Sequence, residues 1–390
     1  MRRLLRFLPV PFWCYFLPMI AGSLGWIPRE SGFYTFVSRQ ILPVCLVLLL
    51  IGTDLKALGR IGGKATALML AGAAGTILGA FGSFFLYKPF LPAGSWGAVG
   101  ALTGSWIGGS ANMLAVKEAL EVPDALIGPV IILDAVVAYS WMGLLIAAAA
   151  WQPQWNARIG LTPDGSALRR SRHPSEVSLT AAFGLARPAL SALDTMPARP
   201  SEAALPTHAV STIRFPWAGI GTLITLSISL SLLAQWAAGH LPSWPGFTAS
   251  TWTVVLVTTA ALALAATPLR RLGESGASRI GTWVLYLLLI TIGARADLRA
   301  VMTAPVFLLL GLTWIVIHGL VLLAAGYFFR APLGLIATAS QANIGGVVSA
   351  PMVGATYSKE LAGMGLLMAV LGNILGTYLG LVTGWVLRVF

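Results

Sequence analysis

The sequence predicts an all-α membrane protein of about ten to twelve transmembrane helices, and its composition, its long apolar runs and its many glycines each support this fold class. Of the 390 residues, 57% are hydrophobic and only 10% are charged, whereas soluble domains carry about 25% charged residues. So few charges cannot cover a globular surface, which excludes a soluble enzyme and a disordered chain. The 43 glycines fit helices that approach one another closely in lipid.

Helix-length apolar runs give the number of spanning segments. At roughly 20 residues per crossing, eleven runs are long enough, and their continuity favours helices over a β-barrel, whose strands alternate. They lie near residues 8–27, 38–53, 64–87, 94–117, 124–151, 216–240, 250–268, 279–295, 303–329, 332–356 and 361–388. The first run follows two arginines and superficially resembles a signal peptide, but its prolines and Trp26 favour a transmembrane helix with cytoplasmic arginine anchors.

The charged residues divide the chain into three parts. The net charge is +12, and the basic residues sit at the ends of apolar runs and in one central segment, a pattern typical of membrane topology. No basic patch is interleaved with aromatic residues, so nucleic acid is not an expected partner. We predict an N-terminal transmembrane repeat over 1–151, a polar basic linker over 152–213 and a C-terminal transmembrane repeat over 214–390.

Short sequence matches relate the two halves. Gly52, Gly108 and Tyr139 correspond to glycines and a tyrosine that follow 241, 237 and 239 residues later. The matches occur in the same order and at a nearly constant sequence separation, which indicates an internal duplication. Such duplications are typical of secondary transporters, whose binding site lies at the interface between the repeats. The alternative is that glycine-rich helices resemble each other by composition.

The orientation of these repeats is not settled by the sequence. If all eleven segments cross, the corresponding loops at Asp54 and Asp297 face the same side, so the repeats are not inverted. The basic clusters at 56–64 and 270–271 then face opposite sides, although the positive-inside rule places both in the cytoplasm. Either one segment does not cross the membrane fully, or one of the two basic clusters does not lie on the cytoplasmic side.

Adjacent glycines interrupt two apolar runs at corresponding positions. Glycine disfavours helix by about 1 kcal/mol per residue, and non-helical backbone survives in a membrane only where it lines a cavity or is buried in protein. We predict two broken helices whose glycines and polar neighbours bind a solute. The predicted substrate-binding residues are Gly108, Gly109 and Ser110 in the first motif and Ser340, Gln341, Asn343, Gly345, Gly346 and Ser349 in the second. The alternative is close helix packing through the glycines.

One carboxylate lies alone inside an apolar run. Asp134 has no charged neighbour within nine residues on either side, and a charge near mid-bilayer costs at least about 2.5–3.5 kcal/mol, so such residues usually mark ion or proton paths. We predict a coupling-ion site at Asp134, Asn112 and Asn373, with sodium as the one candidate metal ion. The alternative is a hydrogen-bonded Asp134 that ties helices together, and His318 is expected to be a hydrogen-bonded packing residue.

With these motifs in view, the chain resembles the YjcL-like bacterial membrane proteins, also called domain of unknown function 819. The resemblance runs from about Pro11 to Leu387 without the linker and is most specific at residues 104–112, 342–346 and 375–380. That family is distantly similar to sodium/proton antiporters and bile-acid/sodium symporters. This implies a core in which two broken helices cross, a homodimer as one option, and location in the bacterial inner membrane. Because Ala135 follows Asp134, the ion's identity stays open.

The leading hypothesis is therefore a secondary active transporter for a small solute or ion, in the lipid bilayer, coupled to protons or sodium and without another cofactor. One alternative is a sensor or assembly partner that binds another protein through the linker. The other is an intramembrane enzyme with a Ser110–His318 dyad, which we do not expect because nothing in the sequence brings these residues together. The sequence does not identify the solute.

Overall fold

A computed structural model describes residues 10–161, 217–243, 247–274, 276–296 and 304–390. Helices dominate the described chain and none of its described residues forms a strand, which confirms the all-α class. Its α-helices are α1 (Val10–Ser23), α2 (Gly32–Phe36), α3 (Leu42–Leu50), α4 (Gly63–Tyr87), α5 (Ser95–Gly108), α6 (Ser110–Ala119), α7 (Asp124–Ala147), α8 (Gln152–Arg158), α9 (Trp217–His240), α10 (Ala249–Ala265), α11 (Arg271–Glu274), α12 (Ala277–Arg295), α13 (Ala304–Phe328), α14 (Leu333–Ile344), α15 (Gly346–Tyr357) and α16 (Lys359–Val389).

Each of the eleven predicted apolar runs corresponds to a helical element in the described residues. Seven helical segments are long and apolar enough to cross a membrane, and α1 and α10 are shorter apolar helices. The two remaining runs are the pairs α5–α6 and α14–α15, which break at Gly109 and at Gly345–Gly346. The chain is therefore a polytopic membrane protein with two glycine-broken helices.

The first broken helix folds back on itself. A Cβ added to Gly97 in α5 would lie 2.8 Å from Cγ2 of Val122, which follows α6, and one on Gly104 would lie 3.1 Å from Cγ2 of Val116. In a straight helix residues 97 and 122 would be about 37 Å apart. The turn is Gly109, whose φ of 89° suits glycine alone among the common residues. We call α5 and α6 hairpin 1.

The second broken helix has the same form. A Cβ on Gly334 at the start of α14 would lie 2.7 Å from Cβ of Tyr357 at the end of α15. Near the tip, Gln341 Nε2 donates to Ser349 Oγ at 2.9 Å. The turn uses Gly346, with a φ of 70°. We call α14 and α15 hairpin 2. The glycine breaks are thus confirmed, but the implied crossing of two through-going broken helices is wrong, because both hairpins leave on the side from which they enter.

This correction removes the conflict between the basic clusters. With both hairpins re-entrant, the crossing helices described between the loop at Asp54 and Arg270 are α4, α7, α9 and α10, an even number that places both on one face. Arg270 Nη1 is 2.7 Å from Asp54 Oδ1, which is possible only on one face. On the opposite face, Arg295 at the end of α12 lies 2.9 Å from Asp124 at the start of α7. By the positive-inside rule we expect the first face to be cytoplasmic.

The packing of α4 on α13 bears on the predicted duplication. Gly72, Gly75 and Gly79 of α4 face Leu322, Val321 and Trp314 of α13 in turn, so the two helices are antiparallel. They are equally long, at 25 residues each. Counterparts in inverted repeats must run antiparallel, and the hairpins enter from opposite faces. The repeat itself stays a prediction.

The described start of the predicted linker belongs to the helical bundle. Residues 152–158 form α8, and its side chains cap the N-terminus of α14: Asn156 Oδ1 accepts from the Leu333 amide at 3.3 Å, and Gln152 Oε1 accepts from the Gly334 amide at 3.1 Å. The N-cap residue Pro332 has no side chain for this role. The rest of the predicted linker, 162–213, lies outside the described residues.

Candidate functional site

A cavity of about 120 Å³ lies between the tips of the two hairpins. Hairpin 1 contributes Gly109 and Ser110, and hairpin 2 contributes Gln341, Gly345 and Ser349. The other lining residues come from α1, α5, α6, α7, α12 and α14: Pro11, Phe12, Ser105, Met113, Ile131, Asp134, Ala135, Ala138, Tyr139, Leu289 and Ile344. Residues far apart in sequence therefore meet at one point of the fold.

Asp134 is the one charged side chain among these lining residues. Its carboxylate accepts hydrogen bonds from Trp106 Nε1 at 2.8 Å and from Ser105 Oγ at 3.2 Å. Both donors are neutral and belong to the last turn of α5. Hydrogen bonds to a charged acceptor are worth about 1.5–3 kcal/mol each, so they hold the carboxylate in place without neutralising it. Ser105 and Trp106 thus fix Asp134 beside the tip of hairpin 1.

Gln341, near the tip of hairpin 2, lines the cavity and carries a buried side-chain oxygen without a partner in the described chain. Gln341 is 1% exposed, and its amide nitrogen is bound to Ser349, while its Oε1 has no hydrogen-bond partner in the described chain. A buried carbonyl oxygen without a partner costs about 1–3 kcal/mol. The cavity lining thus includes a carboxylate at Asp134, a hydroxyl at Ser110 and an amide at Gln341, whose oxygens are hard ligands of the kind that cations prefer.

The three asparagines that were predicted to bind the ion or the solute lie around the cavity but do not line it. Asn112 donates to the Gly108 carbonyl at 2.6 Å and accepts from the Thr377 hydroxyl. Asn343 donates to the Ala339 carbonyl at 3.0 Å and to the Met69 carbonyl at 3.3 Å. These bonds tie the hairpins to α16 and α4. Asn373 faces the tip of hairpin 1, where a Cβ on Gly109 would be 3.7 Å from its Oδ1.

Two predicted glycines have packing or turn roles. A Cβ on Gly108 would lie 2.7 Å from the Gly372 carbonyl oxygen, so this glycine lets α5 contact α16. Gly346 supplies the positive φ of the second turn, and Gly345 lines the cavity. The structure therefore separates the glycines that reach the cavity from those that position the hairpins.

Ser340 points away from Asp134 and joins a buried network around His318. The Ser340 hydroxyl oxygen lies 3.0 Å from His318 Nε2 and accepts from Trp141 Nε1 at 2.8 Å. His318 Nδ1 lies 3.1 Å from both the Gly72 carbonyl and the Thr76 hydroxyl. A neutral imidazole with its proton on Nδ1 satisfies all of these contacts. Both ring nitrogens are thus occupied by residues other than Ser110.

Sequence reasoning missed Ser105, Trp106 and Tyr139 as lining or contacting residues. Ser105 and Trp106 precede the glycines in the motif on which the family resemblance rests. A hydroxyl and an indole N–H within one helical turn of a helix break could have been predicted to donate hydrogen bonds to a site at that break. Nothing local indicates that these donors meet Asp134, which lies 28 residues after Trp106. That contact exists because α7 packs against α5.

The comparisons with known proteins identify the family of this chain. A family model described as "Protein of unknown function (DUF819)" matches residues 2–174 and 190–390. The chain is also 26% identical over 371 residues to the "Uncharacterized membrane protein YjcL" of Bacillus subtilis (strain 168), a match that covers 94% of this chain and 86% of the relative. The chain belongs to the DUF819 family of YjcL-like membrane proteins.

Proposed function

We propose that this protein is a secondary active transporter of the bacterial inner membrane. It moves a small solute or ion, coupled to protons or sodium, through the cavity between the hairpin tips. The observation that carries the proposal is the meeting of one carboxylate, Asp134, with two re-entrant glycine tips at a small cavity. Binding sites of secondary transporters lie near mid-membrane, at interrupted helices related by an internal repeat.

Asp134 is the proposed coupling group. Its two donors are neutral and no basic residue lines the cavity in the described chain, so a cation or a proton is what balances its charge. Ser110 and Gln341 also line the cavity and are the proposed source of neutral oxygen ligands for the same cation. A cavity of about 120 Å³ suits an ion or a small solute.

The hairpin tips supply the means of access. Each tip is a single turn on glycines with positive φ, at Gly109 and Gly346, and each hairpin reaches the cavity from a different face. Displacement of one tip would open the cavity to one face while the other tip stays closed. Alternating access of this kind requires no further moving part.

The test is Asp134→Asn in purified protein reconstituted in liposomes, with binding of radioactive sodium and proton uptake as the readouts. We expect the variant to insert and fold but to lose sodium binding or proton exchange at the cavity. Asp54→Asn is the matched control, since this carboxylate pairs with Arg270 on the cytoplasmic face. A variant at position 134 that binds sodium and exchanges protons like the wild type would refute the coupling role.

An enzymatic role is not part of the proposal. The dyad considered from the sequence would need Ser110 to contact His318, whose nitrogens instead contact Ser340, Thr76 and Gly72. A sensor or assembly role has no supporting observation among the described residues.

A further inference from the structure

A second cavity, of about 470 Å³, opens between α7, α8, α13 and α14. We call it the α8 groove. Its walls are almost entirely apolar and include Trp141, Leu144, Leu145, Trp151, Leu322 and Leu323. Tyr357 also lines the groove, and its hydroxyl donates to the Leu145 carbonyl at 2.5 Å. The groove shares no lining residue with the cavity at Asp134.

The open side of the groove faces the surroundings of the bundle. Trp151 is 61% exposed, Leu144 is 53% exposed and Leu323 is 39% exposed. On helices that cross a membrane these side chains meet lipid. Tryptophan and tyrosine concentrate where the hydrocarbon meets the headgroups, and Trp151, Trp155 and Tyr357 all line the groove near α8. The groove therefore begins at the membrane interface and leads inward.

A positive charge stands at the mouth of the groove. Arg158, in the last turn of α8, lines it and is exposed. It forms no ion pair within the part of the chain that the structure describes. α8 lies on the same face as Arg330, because Trp155 Nε1 donates to the carbonyl of the neighbouring Ala331 at 3.0 Å. By the positive-inside assignment that face is cytoplasmic, where the membrane surface carries anionic lipids.

We propose that the α8 groove binds one acyl chain of an anionic phospholipid, with the lipid phosphate at Arg158. The apolar walls take the chain, and the guanidinium recognises the phosphate. Ala337 and Ser340 of α14 line the inner wall. The bound chain thus contacts hairpin 2 and the His318 network, and lipid occupancy stabilises that hairpin.

The first test compares lipid retention by native mass spectrometry. Delipidated full-length protein is titrated with phosphatidylglycerol or with phosphatidylcholine of the same chains. Arg158→Gln is expected to weaken phosphatidylglycerol binding by about fivefold, the equivalent of roughly 1 kcal/mol per basic residue near a charged surface. It should weaken phosphatidylcholine binding less, because the choline cation of that lipid offsets the charge of its phosphate. Arg279→Gln, an exposed arginine on the same face that does not line the groove, is the matched control. Equal binding of both lipids to the wild type would overturn the proposal.

The second test fills the groove and identifies its occupant. Leu323→Trp should remove retention of both lipids, whereas Leu312→Trp, on an exposed position of the same helix outside the groove, should not. A photoreactive amino acid at position 323 should cross-link to phospholipid in native membranes. Cross-links to residues 162–216 of the chain itself would overturn the proposal, as would unchanged retention in the Leu323→Trp protein.

Discussion

The fold-back of hairpin 1 can be tested by joining α5 to α6 with a disulfide. A Cβ on Gly97 would lie 3.8 Å from Cβ of Val122, within the range of about 3.5–4.5 Å that disulfides require. The added Cβ would also lie 2.8 Å from Cγ2 of Val122, a clash that Val122→Cys removes. In a through-going helix the same residues would be about 37 Å apart. We therefore expect Gly97→Cys/Val122→Cys to form an intramolecular disulfide in an otherwise cysteine-free protein.

The assay is oxidation in native membranes, followed by mass spectrometry of the linked peptides. The matched control is Gly363→Cys/Leu387→Cys, a pair with nearly the same sequence separation on α16, which is continuous over 31 residues. That pair should not link within one chain. Failure of the first pair to link at any oxidant concentration, or equal linking of both pairs, would refute the hairpin and restore a crossing broken helix.

Three further predictions follow from the topology and packing. When intact cells or vesicles are labelled with a membrane-impermeant thiol reagent, Gly59→Cys and Gly239→Cys should react from opposite membrane faces, because α4, α7 and α9 cross between them. If all eleven segments crossed fully, both cysteines would react from the same face. Gly372→Ala should lower the free energy of unfolding by about 1–3 kcal/mol, since its Cβ would meet the Ile107 carbonyl oxygen at 2.1 Å. Gly363→Ala, with nothing within 4 Å, should raise it by about 1 kcal/mol, and equal thermal midpoints would contradict this. Asn156→Leu leaves the Leu333 amide without its acceptor, which should lower the free energy of unfolding by about 1–3 kcal/mol. Hydrogen exchange at the start of α14 should therefore accelerate. Unchanged exchange there would show that α8 does not cap this helix.

The sequence predicted the helical segments well because each depends on local composition. A run of apolar residues long enough to span a bilayer has few other structures available in lipid, and all eleven runs correspond to helical elements in the described chain. The two glycine breaks were also predictable, since adjacent glycines weaken a helix wherever they occur. Asp134 stood out for the same reason, as an isolated charge in an apolar run.

Whether a broken helix continues or reverses is a different kind of question. Glycine can adopt the φ of 89° found at Gly109 as well as helical values. The local sequence therefore permits both a broken helix that continues across the membrane and one that reverses. Reversal depends on what the two halves contact, and Gly100 and Gly104 let α5 lie directly against Gly384, Gly380 and Gly376 of α16. That contact joins residues more than 270 positions apart. The crossing count, and with it the agreement of the basic clusters, follows from this packing.

The polar residues near the two motifs show the same division. Their residue types show that a short polar stretch interrupts an apolar run, but the role of each residue depends on where its side chain lies. Ser340 contacts His318, whereas the neighbouring Gln341 lines the cavity. Trp106 became a partner of Asp134 only through the packing of α7 on α5. The sequence alone thus determined that this is a helical membrane protein with two glycine breaks and one carboxylate isolated in an apolar run, because apolarity and helix propensity act over a few neighbouring residues. The tertiary structure decided that the breaks are hairpin tips and which side chains meet between them, because those outcomes depend on contacts between segments far apart in the chain.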